Sequence, residues 1–147
     1  MKLSIVIPTY NERKNIEILI LQIHKLFHKK FKNNFEIIVV DDSSPYGTAQ
    51  AEIKLNKKFG NIRVIIKKKK EGIGAALKVG YNNAKGDLIL STDADLSFDV
   101  KDMKRLISKI NKGYDLVVGS RHLYKRYYEK PNLETKIKGF ISRYGNV

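Results

Sequence analysis

Two carboxylates, those of Asp93 and Asp95, are separated by one residue and follow the apolar run at 88–90 after Ser91 and Thr92. In an extended segment, side chains two residues apart point the same way, so both carboxylates can reach one cation. Mg²⁺ and Mn²⁺ prefer oxygen ligands, and the phosphates of a substrate often complete their coordination. An isolated Asp-X-Asp is at least as often a helix cap, although Asp99 or Ser97 could cap the following helix instead. The neighbouring motifs therefore decide between a metal site and a cap.

Polar or charged residues also end other predicted strands. The first strand leads into PTYNE at 8–12, the second into DDSS at 41–44, and the fifth into Gly119, Ser120 and Arg121. The carboxyl ends of parallel strands lie at one edge of a sheet, where ligands of such folds bind. Gathering several carboxylates and an arginine there costs desolvation and repulsion, which helix capping alone does not explain. The sequence therefore predicts a binding crevice at this edge.

The elements that position these residues alternate between strand and helix. Short β-branched or apolar runs predict five strands, at 3–7, 35–40, 63–66, 87–91 and 115–118. Helical periodicity predicts four helices between them, at 16–27, 48–59, 75–83 and 100–110. Near-continuous apolar strands that alternate with helices are typical of a parallel sheet covered on both faces. The predicted fold class is α/β, a three-layer, mostly parallel sheet with helices on both faces.

Composition limits the protein to a few classes. At 147 residues and 42% hydrophobic content, the chain is long enough for one domain with its own core. It contains no cysteine, which excludes disulfides and thiol chemistry. No segment approaches the roughly twenty apolar residues of a membrane-spanning helix, and the apolar start is too short for a signal peptide. We therefore predict a cytoplasmic protein, with peripheral contact at the inner membrane face.

The charge is strongly positive, with 29 Lys and Arg against 15 Asp and Glu, a net +14. Such a charge favours polyanions: nucleic acid, anionic lipid or phosphorylated ligands. We interpret most of the lysines as a bias of composition, and the run of four at 67–70 as a solvated strand end.

A glycine-rich segment at 71–76 opens the predicted third helix. It follows the third strand and has Leu77 where a dinucleotide fingerprint needs its third glycine, so an NAD site is not expected. Its small residues would instead let the helix pack close to the crevice.

Five motifs occur in order, namely PTYNE at 8–12, VVDDSSP at 39–45, GIGAA at 72–76, DADLS at 93–97 and VVGSR at 117–121. Together they resemble the inverting family-two glycosyltransferases of the GT-A fold, the nucleotide-diphospho-sugar transferase type. The likeness is greatest to the polyprenyl-phosphate glycosyltransferases, the group of dolichyl-phosphate mannose synthase. It covers residues 3–121, and ISRYGN at 141–146 is similar to a later segment of that group.

The resemblance implies a role for each matching residue. The base and ribose of a nucleotide sugar, GDP-mannose or UDP-glucose, would be surrounded by Pro8, Tyr10, Glu12, Val40 and Asp42. The divalent ion, Mg²⁺ or Mn²⁺, and the diphosphate would be held by Asp93, Ala94 and Asp95. Asp95 and Arg121 would be the catalytic residues, with Arg121 at the phosphate end of the site. The acceptor phosphate and an anionic membrane would be met by Lys136, Lys138 and Arg143.

The resemblance also implies the reaction and the organisation of the chain. A hexose, with mannose favoured, would move to a polyprenyl (dolichyl) phosphate with inversion. Residues 1–121 would form the nucleotide-sugar-binding domain, and 122–147 a basic, acceptor-side and membrane-proximal segment that is mobile or incomplete. Members of this group continue beyond the position of Val147, so a partner chain could supply the rest of the acceptor side.

Three alternatives stay open at this point. The acceptor could be a saccharide hydroxyl, which needs a carboxylate base that many family members place beyond the end of this chain. The domain could also bind a nucleotide sugar without catalysing transfer. A nucleic-acid module is suggested only by the charge and by Tyr124, Tyr127 and Tyr128 among basic residues. That hypothesis leaves the acidic edge unexplained, so no nucleic-acid partner is predicted.

Overall fold

A computed structural model describes residues 1–32, 34–45 and 48–120, and for residues 48–52 and 55 it describes only the backbone. Along these residues strands and helices alternate in the order β1 (Leu3–Thr9), α1 (Arg13–Phe31), β2 (Phe35–Asp41), α2 (Thr48–Phe59), β3 (Ile62–Ile66), α3 (Ile73–Asn83), β4 (Leu88–Ser91) and α4 (Lys101–Ile110). No helix in these ranges combines the length and the apolar character that crossing a bilayer requires.

The described strands form one parallel sheet in the order β3-β2-β1-β4. The chain therefore moves outward in one direction from β1 to β3 and then returns to the other side of β1. Such a reversal of strand order opens a crevice at the carboxyl ends of the two strands that flank it, here β1 and β4. Pairing between β1 and β4 ends at Val6 and Ser91, whereas β1 stays paired with β2 as far as Thr9. Pro8, which has no backbone N–H to donate, lies where β4 has separated.

Two apolar clusters hold the helices on opposite faces of the sheet. On one face, alternate residues of β1 and β2 pack against a continuous stripe of α1 and against Met103 and Ile107 of α4. On the other face, Val6, Ile38 and Val40 pack against Ala76 of α3. The helix periodicity and the near-continuous apolar strands thus predicted the right layers, and the predicted three-layer α/β class is confirmed.

The predicted fifth strand at 115–118 is wrong. The backbone bends at Asp115 and has no regular secondary structure at 116–118, and Leu116 and Val118 are 80% and 73% exposed. A strand requires a hydrogen-bonded neighbour, and none of the described strands pairs with this run. Its apolar composition alone could not reveal that.

A polar network joins the strands at their amino-terminal edge. The hydroxyl of Ser4, buried in β1, donates to Glu36 Oε1 at 2.7 Å and accepts from the backbone N–H of Gly86 at 2.8 Å. Glu36 Oε1 also accepts from the backbone N–H of Lys85 at 2.8 Å, and Glu36 Oε2 lies 2.9 Å from Arg63 Nη2. One carboxylate therefore connects three strands and the turn that precedes β4.

We expect Glu36→Gln to destabilise the fold at neutral pH. Burial alone would raise the pKa of Glu36, but hydrogen bonds from Ser4 and Lys85 and the charges of Arg63 and Lys2 outweigh it, so the pKa lies below its ordinary value of 4.5. A lowered carboxyl pKa stabilises the fold above the unfolded-state pKa, and this contribution is lost as the pH falls through the folded-state pKa. The substitution should cost about 1–3 kcal/mol of unfolding free energy at pH 7. Denaturation curves recorded from pH 7 to pH 3 should show the difference shrinking below about pH 4.5.

Glu17→Gln serves as the matched control, because Glu17 is exposed on α1. It should change the unfolding free energy by less than about 0.5 kcal/mol. A cost of Glu36→Gln that stays constant down to pH 3 would show that the charge of Glu36 is not what stabilises the network.

Candidate functional site

The turn between β1 and α1 forms one side of the crevice. After Thr9 the chain passes through Tyr10 and Asn11, and Glu12 is the N-cap residue immediately before α1. The backbone carbonyl of Glu12 accepts the first helical hydrogen bond, and its side chain accepts from Asn15 Nδ2 at 2.7 Å. Tyr10 is partly exposed beside this turn. Both Tyr10 and Glu12, predicted as donor-binding residues, thus lie at the switch point between β1 and β4.

Two buried carboxylates end β2 beside this turn. Asp41 and Asp42 are 1% and 4% exposed. Asp41 Oδ1 accepts from the backbone N–H of Ser44 at 2.6 Å, and Ser44 Oγ in turn accepts from the backbone N–H of Asn11 at 2.9 Å. The N–H of Asp42 donates to the carbonyl of Thr9 at 2.9 Å. The end of β2 is therefore fastened to the turn that carries Tyr10.

The carboxylate of Asp42 binds the loop between β3 and α3. Its Oδ1 accepts from Lys67 Nζ at 2.6 Å, and its two oxygens accept from the backbone N–H groups of Glu71 and Gly72 at 2.7–3.2 Å. Burial alone would raise the pKa of Asp42, but these donors and the Lys67 charge outweigh it and hold the pKa below its ordinary value. A carboxylate offers about four acceptor positions, so few remain for a ligand.

The acidic pair follows β4 on the other side of the crevice. Asp95 Oδ1 accepts from the backbone N–H of Ser97 at 2.9 Å, while no donor among the described residues reaches the carboxylate of Asp93. Asp99 Oδ1 accepts from the N–H of Lys101 at 2.9 Å at the start of α4. The side-chain hydrogen bond to the start of α4 is therefore made by Asp99 and not by the acidic pair, as the sequence allowed.

The acidic pair fits a divalent cation. Among residues 1–32, 34–45 and 48–120, no lysine or arginine forms an ion pair with Asp93 or Asp95. Asp93 is half-buried and Asp95 exposed, and their carboxylate oxygens are donors that Mg²⁺ and Mn²⁺ prefer. No third His, Cys, Asp or Glu of that part of the chain completes a cluster. The pair thus suits an ion whose remaining ligands are phosphate oxygens and water.

Left-handed backbone recurs at the same edge of the sheet. Asn11, Ser43 and Leu96 have φ values of 59°, 68° and 59°, and each follows the end of a different strand of the trio β1, β2 and β4. A non-glycine residue in this region costs about 1–3 kcal/mol, and such residues concentrate at ligand-binding sites. The coincidence of three of them supports a functional role for this edge.

Three other predicted donor-binding residues are buried: Pro8, Val40 and Ala94. Pro8 and Val40 are register partners in β1 and β2, and both are buried. Val40 is 0% exposed in the cluster under α3, so its side chain packs in the core. Ala94 is 3% exposed and belongs to the other core cluster. Their contact with a ligand therefore stays a prediction.

Four predicted residues lie outside the described part of the chain: Arg121, Lys136, Lys138 and Arg143. Their assigned roles at the donor and acceptor phosphates stay predictions, as does the division of the chain at residue 121.

The prediction of a solvated strand end at 67–70 is wrong for its first residue, Lys67. Lys67 was expected to be solvated, but its side chain is 7% exposed and pairs with Asp42 and Glu71. Lys70 Nζ lies 3.6 Å from the centroid of the Tyr10 ring. Lys67 directly follows β3, and the carboxyl ends of parallel strands lie at one edge of the sheet. This position in the sequence was the signal that could have identified Lys67 as a residue beside the crevice.

Comparisons with known proteins agree with this geometry. The family model described as Glycosyl transferase family 2 matches residues 4–144. Over 123 residues, covering 84% of this chain and 34% of the relative, the sequence is 38% identical to the dolichol-phosphate mannosyltransferase of Pyrococcus furiosus. Over 121 residues, covering 82% of this chain and 36% of the relative, it is 36% identical to the undecaprenyl-phosphate 4-deoxy-4-formamido-L-arabinose transferase of Proteus mirabilis.

A solved structure supports the same likeness. The mannosyltransferase PcManGT from Pyrobaculum calidifontis, in complex with GDP-Man and Mn²⁺, superposes with a TM-score of 0.62 at 25% identity. The superposition covers 70% of this chain and 30% of that one. The chain thus spans about a third of the length of the curated relatives it matches.

Proposed function

The chain belongs to glycosyl transferase family 2, and we propose that it transfers a hexose, with mannose favoured, from a nucleotide-diphosphate sugar to a polyprenyl phosphate. Family membership confirms the resemblance inferred from the five motifs. The observation that carries the proposal is that two loops follow adjacent parallel strands at the switch point: the turn with Tyr10 and Glu12 after β1, and the loop with Asp93 and Asp95 after β4. The two relatives are named for polyprenyl-phosphate acceptors, which supports that acceptor class.

The donor would lie across the carboxyl ends of β2, β1 and β4. Tyr10 offers an aromatic face to a base, and Glu12 offers carboxylate oxygens to ribose hydroxyls. We propose GDP-mannose as the donor, because the similar structure from Pyrobaculum calidifontis holds GDP-Man. UDP-glucose is the donor to compare with it.

Asp93 and Asp95 would hold a Mg²⁺ or Mn²⁺ ion at the diphosphate. When bound, that ion would neutralise the charge that develops on the leaving nucleoside diphosphate. We assign to Arg121 charge-assisted hydrogen bonds to the same phosphates. The ion pairs of the described residues leave both aspartates available for this role.

The chemistry needs little from a general base. A phosphate oxygen of the acceptor would attack the anomeric carbon as the bond from that carbon to the β-phosphate oxygen breaks, which inverts the configuration. A polyprenyl phosphate is already anionic near neutral pH, so it can attack without losing a proton. His24 and His28, the histidines of the described part, lie near Gly60 and Asn61 before β3, at the opposite edge of the sheet. The proposed reaction does not require either of them.

Binding of the donor is the direct test of this proposal. We expect GDP-mannose with Mn²⁺ to raise the thermal unfolding midpoint, since a ligand at a hundred times its Kd stabilises the native state by about 2.7 kcal/mol. EDTA should remove most of the shift, and UDP-glucose should give a smaller one. Transfer of labelled mannose to a polyprenyl phosphate then tests the reaction.

The outcomes separate the alternatives. A protein that binds the donor but neither transfers nor hydrolyses it would be a binding module. Transfer to an oligosaccharide but not to a polyprenyl phosphate would contradict the proposed acceptor. No midpoint shift with any nucleotide sugar in the presence of Mn²⁺ would contradict the donor site itself.

A further inference from the structure

The loop at residues 67–72, here called the lysine loop, is fastened at both of its ends to one buried side chain. At its start, Lys67 Nζ lies 2.6 Å from Asp42 Oδ1, and the Lys67 backbone N–H donates to the carbonyl of Asp41 at 2.9 Å. At its end, the backbone N–H groups of Glu71 and Gly72 donate to the same Asp42 carboxylate. The loop is therefore closed around Asp42.

Lys67 carries the charge at the centre of this arrangement. Its side chain is 7% exposed and lies between two carboxylates, 2.6 Å from Asp42 Oδ1 and 3.1 Å from Glu71 Oε2. A carboxylate as buried as that of Asp42, 5% exposed, needs such a counter-charge. Lys69, by contrast, is 77% exposed and reaches only Glu71, at 3.4 Å. Two lysines of one run thus have opposite environments.

The closed loop places a second ammonium group over the crevice. Lys70 stands between the two fastened ends, and its Nζ lies 3.6 Å from the centroid of the Tyr10 ring. A cation at this distance from an aromatic face is held electrostatically. The loop thus fixes both the position of a positive charge and one face of the aromatic ring at the switch point.

We propose that Lys67 is a positioning residue of the donor site, which holds the lysine loop so that Lys70 and Tyr10 form one wall of the nucleotide pocket. This inference rests on the proposed function, since the ligand is the nucleoside diphosphate part of the donor. Lys67 itself does not touch the ligand and acts through Asp42. Lys70, exposed at the lip, supplies the positive charge that an anionic nucleotide meets there.

The test compares Lys67→Met with Lys69→Met. Both substitutions remove one positive charge from the same loop, so their effect on the long-range field is alike, but only the first opens the loop. We expect Lys67→Met to raise the Kd for GDP at least tenfold and Lys69→Met to raise it less than threefold, by calorimetry on folded protein. For transfer, Lys67→Met should raise KM by a similar factor and change kcat less than threefold.

Hydrogen exchange provides a readout that does not depend on any nucleotide. The amides of Glu71 and Gly72 should be protected in the wild type and in Lys69→Met, and should exchange at least tenfold faster in Lys67→Met. Lys67→Arg, which keeps the charge, should restore part of both the protection and the affinity. If Lys67→Met does not fold, Lys67→Gln provides a second neutral variant with a shorter, polar side chain.

The results distinguish this inference from the proposed function. If the wild type binds GDP and Lys67→Met binds it equally well, the positioning role is overturned and the proposed function stands. Unchanged exchange at Glu71 and Gly72 would also overturn it. A lowered unfolding midpoint with unchanged Kd would show that Lys67 serves stability alone. If the wild type binds no nucleotide, the proposed function fails together with this inference.

Discussion

Asp95→Asn should lower the turnover number for sugar transfer by about 10²–10³-fold, because a neutral amide cannot balance a divalent ion beside the leaving diphosphate. Asparagine keeps the size of the side chain and its Oδ1, so the hydrogen bond from the Ser97 N–H at 2.9 Å can remain. The substitution therefore changes the charge and leaves the turn intact. Initial rates over a Mn²⁺ titration, with Mn²⁺ affinity measured by calorimetry in the presence of GDP, would record both effects.

Asp99→Asn is the matched control for this experiment. Asp99 lies in the same loop and is exposed, but its carboxylate accepts from the N–H of Lys101 at the start of α4. Asparagine keeps Oδ1 as the acceptor of this hydrogen bond and caps a helix about as well as aspartate, so the substitution should change stability by less than about 0.5 kcal/mol and leave turnover within about threefold of the wild type. Equal turnover of Asp95→Asn and the wild type at saturating donor would refute the metal-binding role of the acidic pair.

The sheet was predictable because its strands are short, continuous apolar runs. Residues 35–41 and 62–66 are buried or half-buried almost throughout, as expected for a parallel sheet covered on both faces. The run at 115–118 has a similar composition, yet it forms no strand in the described structure. Composition reports how readily a segment becomes a strand, whereas strand formation depends on a partner that the segment itself does not encode.

The position of the candidate site in the fold was also predictable, since the edge of the sheet at which its residues lie follows from topology. Once the strands are known to be parallel, Tyr10, Asp42, Asp93 and Asp95 must emerge at one edge of the sheet. The direction of each side chain was not predictable. Asp42 is directed into the lysine loop, with Lys67 Nζ at 2.6 Å. Neither the resemblance nor the spacing could show that this carboxylate is largely committed to its own protein.

The four lysines at 67–70 illustrate the same limit more sharply. Their sequence is uniform, and each lysine has the same intrinsic preference for solvent. The side chain of Lys67 is nevertheless only 7% exposed. Its pairing with Asp42 makes this burial tolerable, and Asp42 lies 25 residues earlier in the chain. To distinguish Lys67 from Lys69, one must know that β2 pairs with β3. That pairing joins residues far apart in the sequence, so the local sequence does not reveal it.

Gly80→Ala should lower the free energy of unfolding by about 2 kcal/mol, although alanine is the better helix former by about 1 kcal/mol. Gly80 faces the sheet from α3, where an added Cβ would overlap Val6 Cγ1 and lie 3.4 Å from Val40 Cγ2. Both valines are 0% exposed in the cluster under α3, so little room exists for either to move. Overpacking of such a site costs about 1–3 kcal/mol. Urea denaturation monitored by circular dichroism would measure the net change.

Gly74→Ala in the same helix separates propensity from packing, because nothing lies within 4 Å of its added Cβ. It should leave stability unchanged or raise it by up to about 1 kcal/mol. Val6→Ala removes the Cγ1 atom that the Cβ added by Gly80→Ala would overlap. The loss of unfolding free energy in the double variant should therefore be smaller, by at least about 1 kcal/mol, than the sum of the losses in the two single variants. Additive costs would mean that Gly80 does not set the distance between α3 and β1. In that case the close approach of helix and sheet beside the crevice would need another cause.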